Sequence, residues 1–136
     1  MRIFLDANIL FSAAKSRGAI RELLERILDA GHECCADSFV TEEARRNLAA
    51  KAPEGIPVVT ALLARMHVAN VHLSPATFQT EPPLPEKDRP VLEGAIRHGC
   101  DTLLTGDRTH FGALYGKTVQ GVTIRSPRSL AEILFR

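Results

Sequence analysis

The stretch Ile3-Phe4-Leu5-Asp6-Ala7-Asn8 runs three apolar residues straight into an acid and, two positions on, an amide. A short apolar run of this kind suits a strand buried on both faces, and the polar residues mark its end. A second stretch, Thr102-Leu103-Leu104-Thr105-Gly106-Asp107, repeats the plan, with an acid two residues beyond a brief strand. Between the two the periodicity turns helical. Ile20, Leu23, Leu24, Ile27 and Leu28 fall at i, i+3, i+4, i+7 and i+8, an amphipathic helix closed by Gly31. Residues 34–36 read as a short strand, and a second helix is predicted from about Thr41, with Glu42 and Glu43 in its first turn. Residues 58–66 read as a helix and 68–73 as a strand or irregular extension. Residues 88–98 read as a helix with Pro90 in the first turn and Gly99 as its stop. A strand at 119–124 follows, and Ser126-Pro127 opens a last helix carrying Leu130, Ile133 and Leu134. Strands separated by helices predict an α/β fold of three layers, α/β/α, around a small, mainly parallel sheet.

The chain has 136 residues, room for one domain spanning 1–136 with a core large enough to need no disulfide or structural metal. The segment 74–85, with Pro75, Pro82, Pro83 and Pro85, reads as an extended connection within that domain. Lys and Arg number 17 against 16 Asp and Glu, a net charge of +1, which excludes an indiscriminate polycationic binder and an acidic disordered chain. Charges interrupt every apolar run before the length of a membrane span is reached. The first residues lack the apolar stretch of a secretory signal, so a cytoplasmic protein is expected. Three cysteines, two of them adjacent at Cys34 and Cys35, do not make a disulfide framework, and no Cys or His spacing matches a zinc knuckle.

In an open parallel sheet, sites form outside the carboxyl ends of the strands. Asp6 and Asp107 fall there, and they share one crevice if their strands are neighbours. Glu43 and Asp88 each fall in the first turn of a predicted helix, and both helices can start at the same edge. An acid in a first turn often does no more than complement the helix dipole, and Asp107 beside Gly106 also suits a plain turn. Asp6 is harder to account for in that way, because an acid ending a buried strand needs a partner or a solvated crevice. Four carboxylates gathered together repel one another unless a divalent cation resolves the charge, and oxygen ligands favour Mg²⁺ or Mn²⁺. Such a site suits phosphodiester hydrolysis by a metal-activated water.

These motifs carry a resemblance. Leu5-Asp6-Ala7-Asn8-Ile9-Leu10 is similar to the opening motif of the PIN-domain family. Thr41-Glu42-Glu43-Ala44-Arg45-Arg46-Asn47-Leu48 resembles its second acidic motif and Asp88-Arg89-Pro90-Val91-Leu92-Glu93-Gly94-Ala95 its third. Asp101-Thr102-Leu103-Leu104-Thr105-Gly106-Asp107, followed by Phe111, is similar to the last. The four occur in the family's order and span nearly the whole chain. The resemblance implies a metal-dependent ribonuclease of the VapC-like toxin type, with Mg²⁺ or Mn²⁺ held by Asp6, Glu43, Asp88 and Asp107. It implies an RNA substrate, a small antitoxin partner and, often, a homodimer. Asn8 and Thr105 match polar positions that support the acids by hydrogen bonding.

Glu42 and Glu43 diverge by about 100° around a helix, so only one can face the site, and the apolar set Phe39, Val40, Ala44 and Leu48 favours Glu43. Many family members carry a further acid two positions after the last one, where this chain has Thr109. Asp101, ahead of its strand, belongs at the opposite end of the sheet. Of the basic residues near the motifs, Lys15, Arg17, Arg45, Arg46 and Arg108, the last is the preferred phosphate contact because it follows Asp107 directly. Aromatic residues make up 5% with no Trp, which argues against an extended base-stacking platform. Two other readings stand beside the ribonuclease. One is a scaffold that keeps the fold and binds RNA or protein without cutting. The other is a phosphatase of the haloacid dehalogenase type, whose strand-end Asp is a nucleophile; its usual second Asp is here Asn8.

Overall fold

The computed structural model describes residues 1–70, 82 and 84–135. Its elements in order are β1 (Arg2–Leu5), α1 (Ala7–Lys15), α2 (Ala19–Asp29), β2 (Glu33–Asp37), α3 (Ser38–Lys51), α4 (Ile56–Leu63) and β3 (His67–Ala69). After these come α5 (Arg89–Arg97), β4 (Thr102–Leu104), α6 (Arg108–Phe111), β5 (Thr118–Val119), β6 (Val122–Arg125) and α7 (Pro127–Leu134). The strands form one sheet in the order β3-β2-β1-β4-β6-β5, parallel throughout except for β5 against β6. Successive strand residues point to opposite faces, yet Ile3, Phe4 and Leu5 are all fully buried, so both faces of the central strand are covered. α5 lies against β1, β2 and β4, while α1 packs with α2, α3 and α4. This is the expected α/β architecture with its mainly parallel sheet.

Local chemistry explains the boundaries. Gly31 and Gly99, both at positive φ, follow the ends of α2 and α5 as expected. Ser126 caps α7 by accepting from Ser129 N, with Pro127 at its first position. Several readings shift, among them the helix expected at 58–66, which is α4 at Ile56–Leu63. α1 was not among the expected helices, although Ala7, Ile9, Leu10, Ala13 and Ala14 are buried along one side and Asn8, Ser12 and Lys15 recur at helical spacing on the other. The strand expected at 119–124 is a hairpin: Val119 pairs with Val122, and the two residues between, Gln120 at φ 47° and Gly121 at φ 86°, both take the positive φ that a tight type I′ turn requires. α3 begins at Ser38 rather than near Thr41, because Asp37 accepts from Val40 N at 3.2 Å and caps it there. The extension expected at 68–73 is partly β3, and its residues 71–73 lie outside the described residues, as does most of the 74–85 connection. All three cysteines are free and buried. Among the described residues no helix is long and apolar enough to cross a membrane.

Candidate metal centre

β1 and β4 are direct neighbours, with Leu5 opposite Leu104, so their carboxyl ends are flush. Here the sheet order turns from one side of β1 to the other, the crevice position of open α/β sheets. Asp6 leaves β1 with its backbone N–H bonded to Leu104 O at 3.0 Å. Its carboxylate is almost wholly buried, at 5% exposure. Oδ1 accepts from Ala7 N at 2.7 Å, and Oδ2 accepts from Thr105 Oγ1 at 2.8 Å and Asn8 Nδ2 at 3.1 Å. Burial pushes the Asp6 carboxyl up to about 6, the hydrogen bonds from Thr105 and Ala7 pull it back, and the nearby charges of Glu43 and Asp107 push it further up.

The two polar residues expected to support the acids both hydrogen-bond at this edge of the sheet. Asn8 donates to Asp6 and accepts from Gly106 N at 2.9 Å, tying the end of β1 to the turn after β4. Thr105 Oγ1 accepts from Asp107 N at 3.1 Å while donating to Asp6, and Tyr115 Oη donates to Thr105 O at 2.8 Å. Asp107 caps α6, its Oδ1 accepting from His110 N at 3.1 Å. Asp88 stands immediately before α5 with no capping hydrogen bond from its side chain.

All four predicted acids, Asp6, Glu43, Asp88 and Asp107, line one cleft of about 400 Å³. Glu43 faces it and the exposed Glu42 does not. Because α3 starts at Ser38, Glu43 lies beyond the first turn, which removes the helix-dipole account of its position. Asp101 lies at the other end of β4, where it accepts from Arg2 N and Thr102 Oγ1. Arg108 is exposed and is not among the residues lining the cleft. Among the described residues, the lysines that line it are Lys51 and Lys87.

Several cleft residues escaped the sequence reading. Phe39, Asn47 and Lys51 flank Glu43 at steps of four along α3, so one stripe of that helix supplies all four. Once Glu43 is chosen, that periodicity is readable. Phe11 stands one turn after Asn8 on α1 and also lines the cleft, with Lys15 and Lys51 over its ring at 5.3 and 5.9 Å. His110, three residues after Asp107, places Nδ1 at 2.9 Å from Asp107 Oδ2 and 2.9 Å from Asp88 Oδ2.

The donor set suits a hard divalent cation. Carboxylates from four separate segments face one small volume, and Asp88 Oδ2 and His110 Nδ1 are buried without a hydrogen bond. They face each other at ion-pair distance, 2.9 Å, at the edge of the acidic cluster.

No protein-family model matches the chain, and no curated protein is detectably similar to it. Solved structures are similar in fold. A chain of VapBC2 from Rickettsia felis, in a crystal structure bound to a DNA fragment from their promoter, is 14% identical with a TM-score of 0.66, over 93% of this chain and 98% of that one. A chain of VapBC-1 from nontypeable Haemophilus influenzae, solved at 2.2 Å resolution, is 14% identical with a TM-score of 0.59, over 94% and 99%. At that identity the likeness concerns architecture: the chain has the PIN fold that its motifs resemble.

Proposed function

We propose that this protein is a metal-dependent ribonuclease and the toxin of a toxin–antitoxin pair. The observation that carries the reading is the convergence of Asp6, Glu43, Asp88 and Asp107 on one cleft that also holds Lys51 and Lys87. Among the described residues lining it, none is a serine, threonine or cysteine, so the cleft offers no hydroxyl or thiol nucleophile. A bound Mg²⁺ or Mn²⁺ supplies an activated water and offsets charge that develops on the phosphate.

The chain's own contribution is placement. Asp6 is fixed by three hydrogen bonds and needs no side-chain reordering to act as a ligand. Glu43, Asp88 and Asp107 are the other carboxylates that would hold the ion. Lys51 and Lys87 are placed to bind phosphate oxygens of the RNA backbone, and Phe11 and Phe39 give the cleft an apolar wall. With these four acids set aside, the remaining charges are predominantly basic, which suits a polyanionic substrate.

The toxin assignment draws on the fold likeness to VapBC assemblies, toxin–antitoxin complexes whose VapC component is a PIN domain. A small antitoxin covering the cleft is the partner this implies. Thr109, standing where many members of the PIN-domain family carry another acid, favours a second reading, a scaffold that has lost cleavage. The phosphatase reading has less support, since Asn8 holds Asp6 and Gly106 and leaves no acid at its position.

The deciding experiment incubates purified protein with total RNA and Mn²⁺, with EDTA, Asp6→Asn and Asp107→Asn as controls. Cleavage by the wild type alone is expected. Equal cleavage by all proteins points to contamination and sinks the assignment. No cleavage with intact metal binding favours the scaffold.

A further inference from the structure

His110 is not one of the four motif acids, yet it sits between two of them. Its Nδ1 stands 2.9 Å from Asp88 Oδ2 and 2.9 Å from Asp107 Oδ2. One ring proton can serve only one oxygen, and here Nδ1 makes a hydrogen bond to neither. Nδ1 and Asp88 Oδ2 are both shielded from solvent, so water does not satisfy them from outside. Two arrangements hold such atoms together: a protonated ring paired with both carboxylates, or a cation that the three groups share.

The spacing points to the second. Ligand atoms of Asp88, Asp107 and His110 all lie within 4.8 Å of one another. Neighbouring donors on an octahedral ion with bonds of roughly 2.1 Å stand about 3 Å apart, the separation Nδ1 keeps from both oxygens. The arrangement is also held from outside. Asp107 Oδ1 is committed to the cap of α6, which leaves Oδ2 for the cleft and sets His110 at a fixed place in the first turn. Asp88 spends no side-chain atom on capping α5. The three groups are therefore positioned by helix starts, and their donor atoms are left to face one another.

We propose that His110 Nδ1 is a metal ligand that forms, with Asp88 and Asp107, a mixed nitrogen–oxygen site selecting Mn²⁺ over Mg²⁺. The inference rests on the metal-dependent reading above and adds a ligand and a preference to it. Carboxylates serve both ions, so an all-oxygen cluster discriminates weakly between them. Mg²⁺ favours oxygen and gives up water reluctantly, whereas an imidazole nitrogen adds affinity for first-row transition ions. The ligating ring is the neutral tautomer with its proton on Nε2.

The test uses the full chain, freed of metal and titrated with Mn²⁺, and reads the ion by pulsed electron paramagnetic resonance. A ¹⁴N coupling from a directly bound imidazole is expected. It should convert to a ¹⁵N coupling in protein made with ¹⁵N-histidine, and vanish in His110→Asn. Calorimetry should show Mn²⁺ affinity falling about tenfold in His110→Asn, with Mg²⁺ affinity changed less than about twofold. Mn²⁺ bound without nitrogen coupling overturns the His110 assignment and leaves a carboxylate-only centre standing. Coupling that persists in His110→Asn overturns it as well, since another of the five histidines is then the ligand. No Mn²⁺ binding at all overturns both this assignment and the metal-dependent reading. The isotope readout needs no substitution, so it holds even where the variant fails to fold.

Discussion

The hydroxyl of Thr105 donates to Asp6 Oδ2 at 2.8 Å, joining residues 99 positions apart at the ends of adjacent strands. Thr105 Oγ1 also accepts from Asp107 N, so one side chain orients one acid and the backbone of another. Thr105→Val keeps the shape and removes both bonds. Stability in urea at pH 7.5 is expected to fall by about 1–3 kcal/mol, the range for a buried polar group losing its partner. Mn²⁺-dependent cleavage should drop at least about tenfold, as for other groups that orient metal ligands. Thr105→Ser should retain both. A valine variant as stable and active as wild type would remove Thr105 from this supporting role.

Burial raises the Asp6 carboxyl from 3.8 to about 6 in the folded chain. Between those values the folded state holds more protons than the unfolded state, so this group's contribution to stability is full below pH 4 and is lost as pH rises through 6. The loss approaches about 2–3 kcal/mol above pH 7. Asp6→Asn abolishes that slope, so in EDTA the variant should gain on wild type as pH climbs from 4 to 7. Mn²⁺ should reverse the trend for wild type, because the ion replaces the proton and stabilises by mass action. A difference between the two proteins that stays flat with pH rules this account out.

What was legible in the sequence follows from how local each signal is. Asp6 and Asp107 were readable because a polar residue at the end of a buried strand has few places to go. Glu43 was separable from Glu42 because the buried side of α3, Val40, Ala44 and Leu48, fixes which way the helix turns. α1 carries a helical signal of its own, with Asn8, Ser12 and Lys15 opposite a buried side of Ile9, Leu10, Ala13 and Ala14, but it is only nine residues long and follows the end of β1 directly. Phe39 and Lys51 became site residues only through the stripe they share with Glu43. His110 depends on how α6 meets Asp88, the residue just before α5, a relation across 22 positions that no local pattern encodes.

Gly94 is required by a close approach. A Cβ built there would stand 2.7 Å from Asp37 Oδ2 and 2.8 Å from Phe4 Cζ, both on buried residues. Helix propensity favours alanine over glycine by about 1 kcal/mol. Displacing a core ring and the carboxylate that caps α3 costs more, about 1–3 kcal/mol. Gly94→Ala should therefore lower the midpoint of thermal unfolding, and a raised midpoint would show that the two neighbours yield freely.

Lys51 and Lys87 line the cleft, while Arg108, the basic residue favoured by proximity in sequence, does not. If the lysines bind backbone phosphates, each Lys→Gln change should weaken RNA binding uniformly across sequences. The slope of log affinity against log salt should shrink by about 0.7 per lysine for a single strand. Arg108→Gln should leave that slope closer to the wild-type value. Filter binding of catalytically silent Asp6→Asn protein at several salt concentrations measures this without cleavage, and an unchanged slope in both lysine variants would take them out of the RNA path.

The adjacent acids of α3 give the sharpest test of the geometry. Glu43 faces the cleft with Asp6 close enough for its charge to disfavour ionisation there, whereas Glu42 is exposed on the outer side. Neutralising Glu43 removes one candidate oxygen ligand and one repulsive charge together. Glu43→Gln should thus lower Mn²⁺ affinity in calorimetry by about 10–100-fold, while leaving metal-free stability unchanged or raised. Glu42→Gln should alter neither, since an exposed charge away from the cleft contributes within about 0.5 kcal/mol. Equal losses of Mn²⁺ affinity in the two variants would mean that the helix presents a different face to the ion, and the four-carboxylate arrangement would have to be abandoned.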